Sequence, residues 1–317
     1  MDSRLIPEKE ILRDFFFCYS SNADLSALER SVAAGGIRNP ISVLAGDGGY
    51  RILAGFRRFR AAEAVGLESL PCRILPPEVP VERLFEEALL EQASQGEFHP
   101  VEKARVIRIL TRLDVPRENI VSRFLPILGL APKDGLIGET AALLSFHPDL
   151  LEYLERHPVS LKQASAFRGF SAEEQAALAG LGTGLQIRIV ELSELAGWMR
   201  DISRGRGTAL EALLKSAGIP ELVADRDLNR NEKIASLKET VRRERYPTLE
   251  SWNRKILNLR AELRMPDCIR LAWDPALETP GFRLEIRVRS VKDLGEVAAF
   301  FASEENRRRM GEMLSLV

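Results

Sequence analysis

Apolar residues recur at helical spacing in some stretches of this chain and at every second position in others. The changes of period predict its elements. Residues 24–34 place Leu25, Leu28 and Val32 on one helical face, and Gly35-Gly36 ends that helix. Pro40 to Leu44 is a short apolar strand. Gly46-Asp47-Gly48-Gly49 supplies the positive φ of a hairpin turn, and Tyr50 to Ala54 returns as a second strand. Gly55 breaks that strand, residues 56–65 read as a helix ending at Gly66, and Leu70 to Leu75 is a third strand. Pro76, Pro77 and Pro80 form a linker. Helix, strand, turn, strand, helix, strand is a small α+β unit.

Beyond the linker the period is helical almost throughout. Helices are predicted at 81–94, at 101–113 behind Pro100, at 117–125 and at about 136–146, with a turn through Gly129 and Pro132 before the last. In 101–113, Val106, Ile109, Leu110 and Leu113 face a core. Shorter helices follow at 149–156, 160–167 and 171–180, and Gly182 with Gly184 predicts a break. The stretch from 185 to 264 is helical apart from a loop at 201–208. Alternation then returns at 269–273 and 282–288, a two-stranded hairpin, followed by one helix over 291–314. The class is α+β, with domains expected at 1–80, 81–185 and 186–317.

Composition narrows the function. With 317 residues, more than one compact domain is expected. Hydrophobic residues at 45% and charged residues at 29% are the balance of a soluble protein with real cores. A net charge of -1 draws the molecule to no polyanion as a whole, so nucleic-acid contact needs local basic patches. Cys18, Cys72 and Cys268 match no metal or redox spacing and suit a reducing cytosol. His99, His147 and His157 each precede a proline, an arrangement unlike a metal site. No secretion signal is read in the first residues, and no run approaches the roughly 20 apolar residues of a membrane span. A cytoplasmic protein is expected.

The informative constellation is Gly55-Phe56-Arg57-Arg58-Phe59-Arg60-Ala61-Ala62. A glycine leaves a strand and a helix begins with arginines in its first turn, where backbone N–H groups and the dipole already favour an anion. Arginine adds bidentate phosphate donors there. A solvated cationic helix start is the plainer alternative.

These residues belong to a longer pattern. Gly36-Ile37-Arg38-Asn39-Pro40-Ile41-Ser42-Val43, then Gly49 to Arg58, then Ala61-Ala62 and Gly66-Leu67-Glu68-Ser69-Leu70-Pro71-Cys72 resemble the N-terminal domain of ParB-like proteins, a ParB/sulfiredoxin-like fold. The resemblance implies that CTP, or another NTP, binds with magnesium. Gly36, Ile37, Arg38, Asn39 and Pro40 would line the nucleotide pocket, with Gly55, Arg57, Arg58 and Ala61 around the phosphates. Glu91 and Gln92 would stand on the metal side. Three positions depart from the family: Phe56 for the glutamate of G-E-R-R, Gln92 for asparagine and Gln95 for arginine. Each lost charge-assisted contact is typically worth about 1.5–3 kcal/mol, which weakens a triphosphate site. Sulfiredoxin chemistry needs a cysteine in the glycine–arginine loop, and residues 54–58 have none.

The resemblance extends to about residue 180, because Pro100-Val101-Glu102-Lys103-Ala104 and 158–179 look like the family's following helices. Residues 117–146 take the place of its helix-turn-helix, in degenerate form. The would-be reading helix, 136–146, offers only Glu139, Thr140 and Ser145 to base edges. Phosphate contact falls instead to Arg105, Arg108 and Arg112 on one helical face, to Lys133, and to Arg242, Arg243 and Arg245. The last three lie in 225–264, where 11 Lys+Arg face 7 Asp+Glu; an exposed helix laced with ion pairs is the plainer reading.

The expectation is a ParB-like, DNA-associated protein, nucleoid-associated if it binds DNA, with a nucleotide-sensing N-terminal domain serving a switch or clamp and at most weak NTP hydrolysis. A homodimer is expected, through the C-terminal part. Two alternatives stand beside it: a nucleotide-dependent phosphotransferase on the same fold, and a scaffold that has lost its nucleotide.

Overall fold

The computed structural model describes residues 3–20, 24–225 and 227–316. The N-terminal unit is a four-stranded sheet in the order β1-β4-β2-β3, built from β1 (Ser3–Pro7), β2 (Ile41–Gly46), β3 (Gly49–Ala54) and β4 (Ser69–Ile74). β2 and β3 are the expected hairpin, closed by Asp47-Gly48, while β2 and β4 run parallel. Ile41, Ser42 and Val43 are all buried, so this central strand is covered on both faces. Helix α1 (Ser26–Gly35) precedes the hairpin, and α2 (Phe56–Ala64) makes the crossover to β4.

β1 is absent from the sequence reading. It pairs antiparallel with β4 at the sheet edge and buries only Ile6, with Arg4 and Leu5 exposed. Such a strand carries no alternating pattern to detect.

The helical part begins with α3 (Val81–Gln95) and α4 (Pro100–Arg112). A continuous helical run follows: α5 (Arg117–Asn119), a π-turn over Ile120–Phe124, and α6 (Leu125–Ile127). Then come α7 (Gly135–Ala141), α8 (Pro148–Glu155), α9 (Leu161–Ser165), α10 (Ala172–Gly184), α11 (Ile189–Arg206), α12 (Leu210–Ser216), α13 (Ile219–Ala224), α14 (Arg230–Arg245) and α15 (Pro247–Glu262). The chain finishes with β5 (Ile269–Trp273), β6 (Phe282–Ile286), α16 (Val291–Ala302) and α17 (Glu304–Leu314).

Three expectations are corrected. Residues 201–208 are not a loop: α11 runs to Arg206 because Met199 and Ile202 are buried, and Gly207, at φ 65°, ends it. The break expected at Gly182 and Gly184 falls just after them, since α10 runs to Gly184 and α11 starts at Ile189; a side chain at Gly182 would meet Tyr153 and Leu192 at 2.8 Å, so that glycine serves close packing. The helix predicted over 291–314 is two, because Ser303 is extended and its hydroxyl accepts from the Asn306 N–H at 3.3 Å, starting α17 afresh.

Hydrophobic packing forms three cores. The first joins the sheet to α3, one side of α4 and the run up to Ile137; the second takes Val101 and Ala104 of α4 with residues 143–241; the third gathers Ile256, Leu263, Ile269, Leu271, Phe300 and Met313. Helix α4 therefore serves two cores, one on each of its sides. Among the described residues no helix is long and apolar enough to cross a membrane.

Candidate anion and nucleic-acid site

Helix α2 opens at Gly55, whose φ of 103° lies in the left-handed region. That geometry turns the chain sharply out of β3 and into the helix, and glycine adopts it without a Cβ penalty. No side chain caps the helix N-terminus. A Cβ on Gly55 would sit 3.2 Å from the Arg58 guanidinium, so the arginine folds back over the turn.

Arg58 is half-buried and donates to the carbonyls of Asn39 at 2.5 Å and Pro40 at 2.8 Å. It thereby ties α2 to the entry of β2. Burial draws its guanidinium below the ordinary arginine range, Glu91 opposes this, and Arg73 adds to it. Arg57, its neighbour, is exposed. The two arginines read from the sequence as a pair thus have different environments. Gly36, at φ 67°, and Ile37 are half-buried, Arg38 and Asn39 are exposed, and Ala61 is fully buried within α2.

Arg73 was not singled out from the sequence. It projects from β4, donates to the Ser42 hydroxyl at 3.0 Å and lies 3.6 Å from the Glu91 carboxylate at the far end of α3. Its signal is visible only in the sheet register, where Arg73 pairs with Ser42 and Ser42 with Ala54. Glu91 and Gln92 are both exposed. Phe56 is buried and packs 6.1 Å from Phe15, an apolar use of a position where the family resemblance expects a carboxylate.

The DNA candidates also separate. Arg105 is largely buried, paired with Glu155 of α8, and donates to the Tyr19 carbonyl at 3.4 Å. Arg108 and Arg112 are exposed on α4; partial burial and the charges of Arg112 and Arg105 lower Arg108 from its ordinary value. Lys133 is exposed in the loop before α7, which Arg117 clips through its ion pair with Asp134. In α7, Ile137 and Thr140 are buried. Arg242 pairs with Glu239 at 3.2 Å, and Arg245 pairs with Asp201 at 2.8 Å between the rings of Trp198 and Tyr246. Arg243 is exposed.

His99 and His147 sit before prolines as helix N-caps, their Nδ1 atoms accepting from the Val101 and Asp149 N–H groups. Cys72 is buried, which pushes its thiol up to about 11. Among the described residues no three His, Cys, Asp or Glu converge as a metal cage.

Together these features define an α+β domain that presents arginines where a β-hairpin meets a helix, followed by a helical array. Residues 18–92 match the family model of the ParB N-terminal domain. The chromosome-partitioning protein Spo0J of Thermus thermophilus is 27% identical over 151 residues, 48% of this chain and 53% of that protein. The stage 0 sporulation protein J of Bacillus subtilis is 36% identical over 100 residues, 31% of this chain and 35% of that protein. The chain thus matches about half or less of these relatives' length. Among solved structures, the C-terminally truncated chromosome-partitioning protein ParB from Caulobacter crescentus, complexed with CTP-gamma-S, is 24% identical with a TM-score of 0.28, over 57% of this chain and 98% of that one.

Proposed function

We propose that this chain is a DNA-associated chromosome-partitioning protein of ParB type whose N-terminal domain binds CTP, or another NTP, as the switch of a clamp. The observation that carries the reading is the arginine excess at the α2 mouth. Arg57, Arg58 and Arg73 gather there, and Arg73 forms an ion pair with the Glu91 carboxylate. Arginines without matching acids favour a polyanionic ligand.

Magnesium fits this donor set only as a shared ligand. Because no three His, Cys, Asp or Glu converge among the described residues, the ion would be held by Glu91 together with the nucleotide's phosphates, whose charge it would offset. Gln92 adjoins it as an amide donor or acceptor. Gly36 to Pro40 would receive the rest of the nucleotide, alongside Gly55, whereas Ala61 is buried in the core and supports α2 from within.

Calorimetry with CTP and with ATP, each with magnesium, on wild type and Arg57→Ala tests the reading. Binding that falls about tenfold in the variant is expected; no heat with either nucleotide overturns it. The scaffold alternative is favoured by one observation, the use of Phe56 and Arg58 for packing and for backbone carbonyls. Turnover of bound nucleotide would instead favour the phosphotransferase.

For DNA, the exposed Arg108, Arg112, Lys133 and Arg243 are the phosphate contacts we infer, whereas Arg105, Arg242 and Arg245 are already held by acids. Random-sequence DNA should bind in a strongly salt-dependent way. The C-terminal module is the dimerisation element we infer: Ile286, Val288, Val291 and Leu294 are exposed beside a core of six buried residues. Sedimentation of the full chain against a variant lacking 266–317 tests this, with a dimer lost on truncation. The location that goes with these roles is the cytoplasm, at the nucleoid.

A further inference from the structure

We infer that Arg73 is an anion-binding residue of the α2 mouth, held ready by Ser42 and with Glu91 as its resting counter-ion. The inference rests on the nucleotide reading above and adds a residue from a different strand to that site.

The sheet register places it there. Arg73 on β4 pairs with Ser42 on the central strand, and Ser42 pairs with Ala54 on β3, so the three form one row across three strands. Gly55, which opens α2, is the next residue after Ala54. The entry of β2 that Arg58 grips lies two residues before Ser42. Arg73 and Arg58 therefore border the same corner, close enough for Arg73 to lower the Arg58 guanidinium.

The local contacts suit a guanidinium waiting for a ligand. Ser42 is one of the few buried polar residues, and its hydroxyl accepts from Arg73 Nη2 at 3.0 Å. This aims the guanidinium at little entropic cost, since a planar fork held at one nitrogen keeps its other N–H donors available. Glu91 is 3.6 Å away, beyond a good charge-assisted hydrogen bond, and both side chains are more than a third exposed. Such a pair is weak and is displaced readily by a stronger anion. A phosphate reaching Arg73 would exchange a loose contact with one carboxylate for direct bonds from a pre-aimed fork.

Arg73→Gln, Glu91→Gln and the charge control Arg83→Gln test this in the full chain. Binding of inorganic tripolyphosphate and of CTP is measured by calorimetry at 150 mM salt in EDTA, so that no metal links Glu91 to the ligand. Arg73→Gln should lose about tenfold or more for both probes, the scale of one charge-assisted contact, and Arg83→Gln less than twofold. If wild type binds and Arg73→Gln matches it, Arg73 has no such role while the nucleotide reading stands. If wild type binds neither probe, the inference fails, and the calorimetry with magnesium decides the nucleotide reading separately. Should Arg73→Gln not fold, Glu91→Gln decides: freeing Arg73 should tighten tripolyphosphate binding two- to fivefold, and unchanged or weaker binding overturns the inference.

Discussion

Arg58 grips the carbonyl of Pro40 at 2.8 Å, while its neighbour Arg57 is exposed to solvent. Two adjacent arginines in one helical turn therefore do different work, one holding the corner together and the other facing outward. Arg58→Ala leaves the Asn39 and Pro40 carbonyls without their donor and should cost about 2 kcal/mol in urea unfolding. Arg57→Ala should stay within about 0.5 kcal/mol of wild type. Equal stability losses would contradict this division.

Arg105 and Glu155 join α4 to α8 with little solvent around them. Removing either partner alone leaves a charge without compensation, so Arg105→Ala should destabilise by about 3 kcal/mol. Arg105→Met combined with Glu155→Leu should recover a large part of that loss. A double-mutant cycle with no coupling would show that the pair is idle.

Gly182→Ala brings a methyl group within 2.8 Å of Tyr153 and Leu192. The Tyr153 ring cannot simply swing away, because its hydroxyl donates to the Ile187 carbonyl at 2.5 Å and it lies 4.4 Å from the His157 ring. Overpacking of this kind costs about 1–3 kcal/mol. A melting temperature equal to wild type would show that the contact can relax.

Glu191 accepts from Arg188 at 3.2 Å and from Lys238 at 2.6 Å, and these cations hold its carboxyl down at about 2. A carboxyl lowered on folding stabilises above its unfolded value near 4.5, and the contribution disappears as pH falls from there toward 2. Glu191→Gln should therefore be less stable than wild type by about 1 kcal/mol at pH 7, discounted for screening. The gap should close between pH 4.5 and pH 2; a gap constant to pH 2.5 would exclude this origin.

Most elements were legible because their signals are local. The hairpin at Asp47-Gly48, the helix opened by Gly55 and the start of α4 at Pro100 each follow from a few adjacent residues. The boundaries misplaced at glycines share one cause. Gly182, Gly205 and Gly207 look alike as sequence, yet the first is packed against an aromatic ring, the second lies inside α11 and only the third ends a helix. β1 was invisible because an edge strand with a single buried residue owes its existence to the partner it pairs with.

The chain's own order of residues determined the ParB-like N-terminal pattern, the strand–glycine–arginine–helix corner and the helical character of the middle, because turn chemistry and apolar period act over neighbours a few positions apart. Only the tertiary structure decided that Arg58 is spent on backbone carbonyls, that Arg105 is locked to Glu155, and that Arg73 comes to the corner from a strand 15 residues beyond Arg58. What an arginine does depends on which carbonyl or carboxylate reaches it first, and that is set by sheet register and helix packing between residues far apart in the chain.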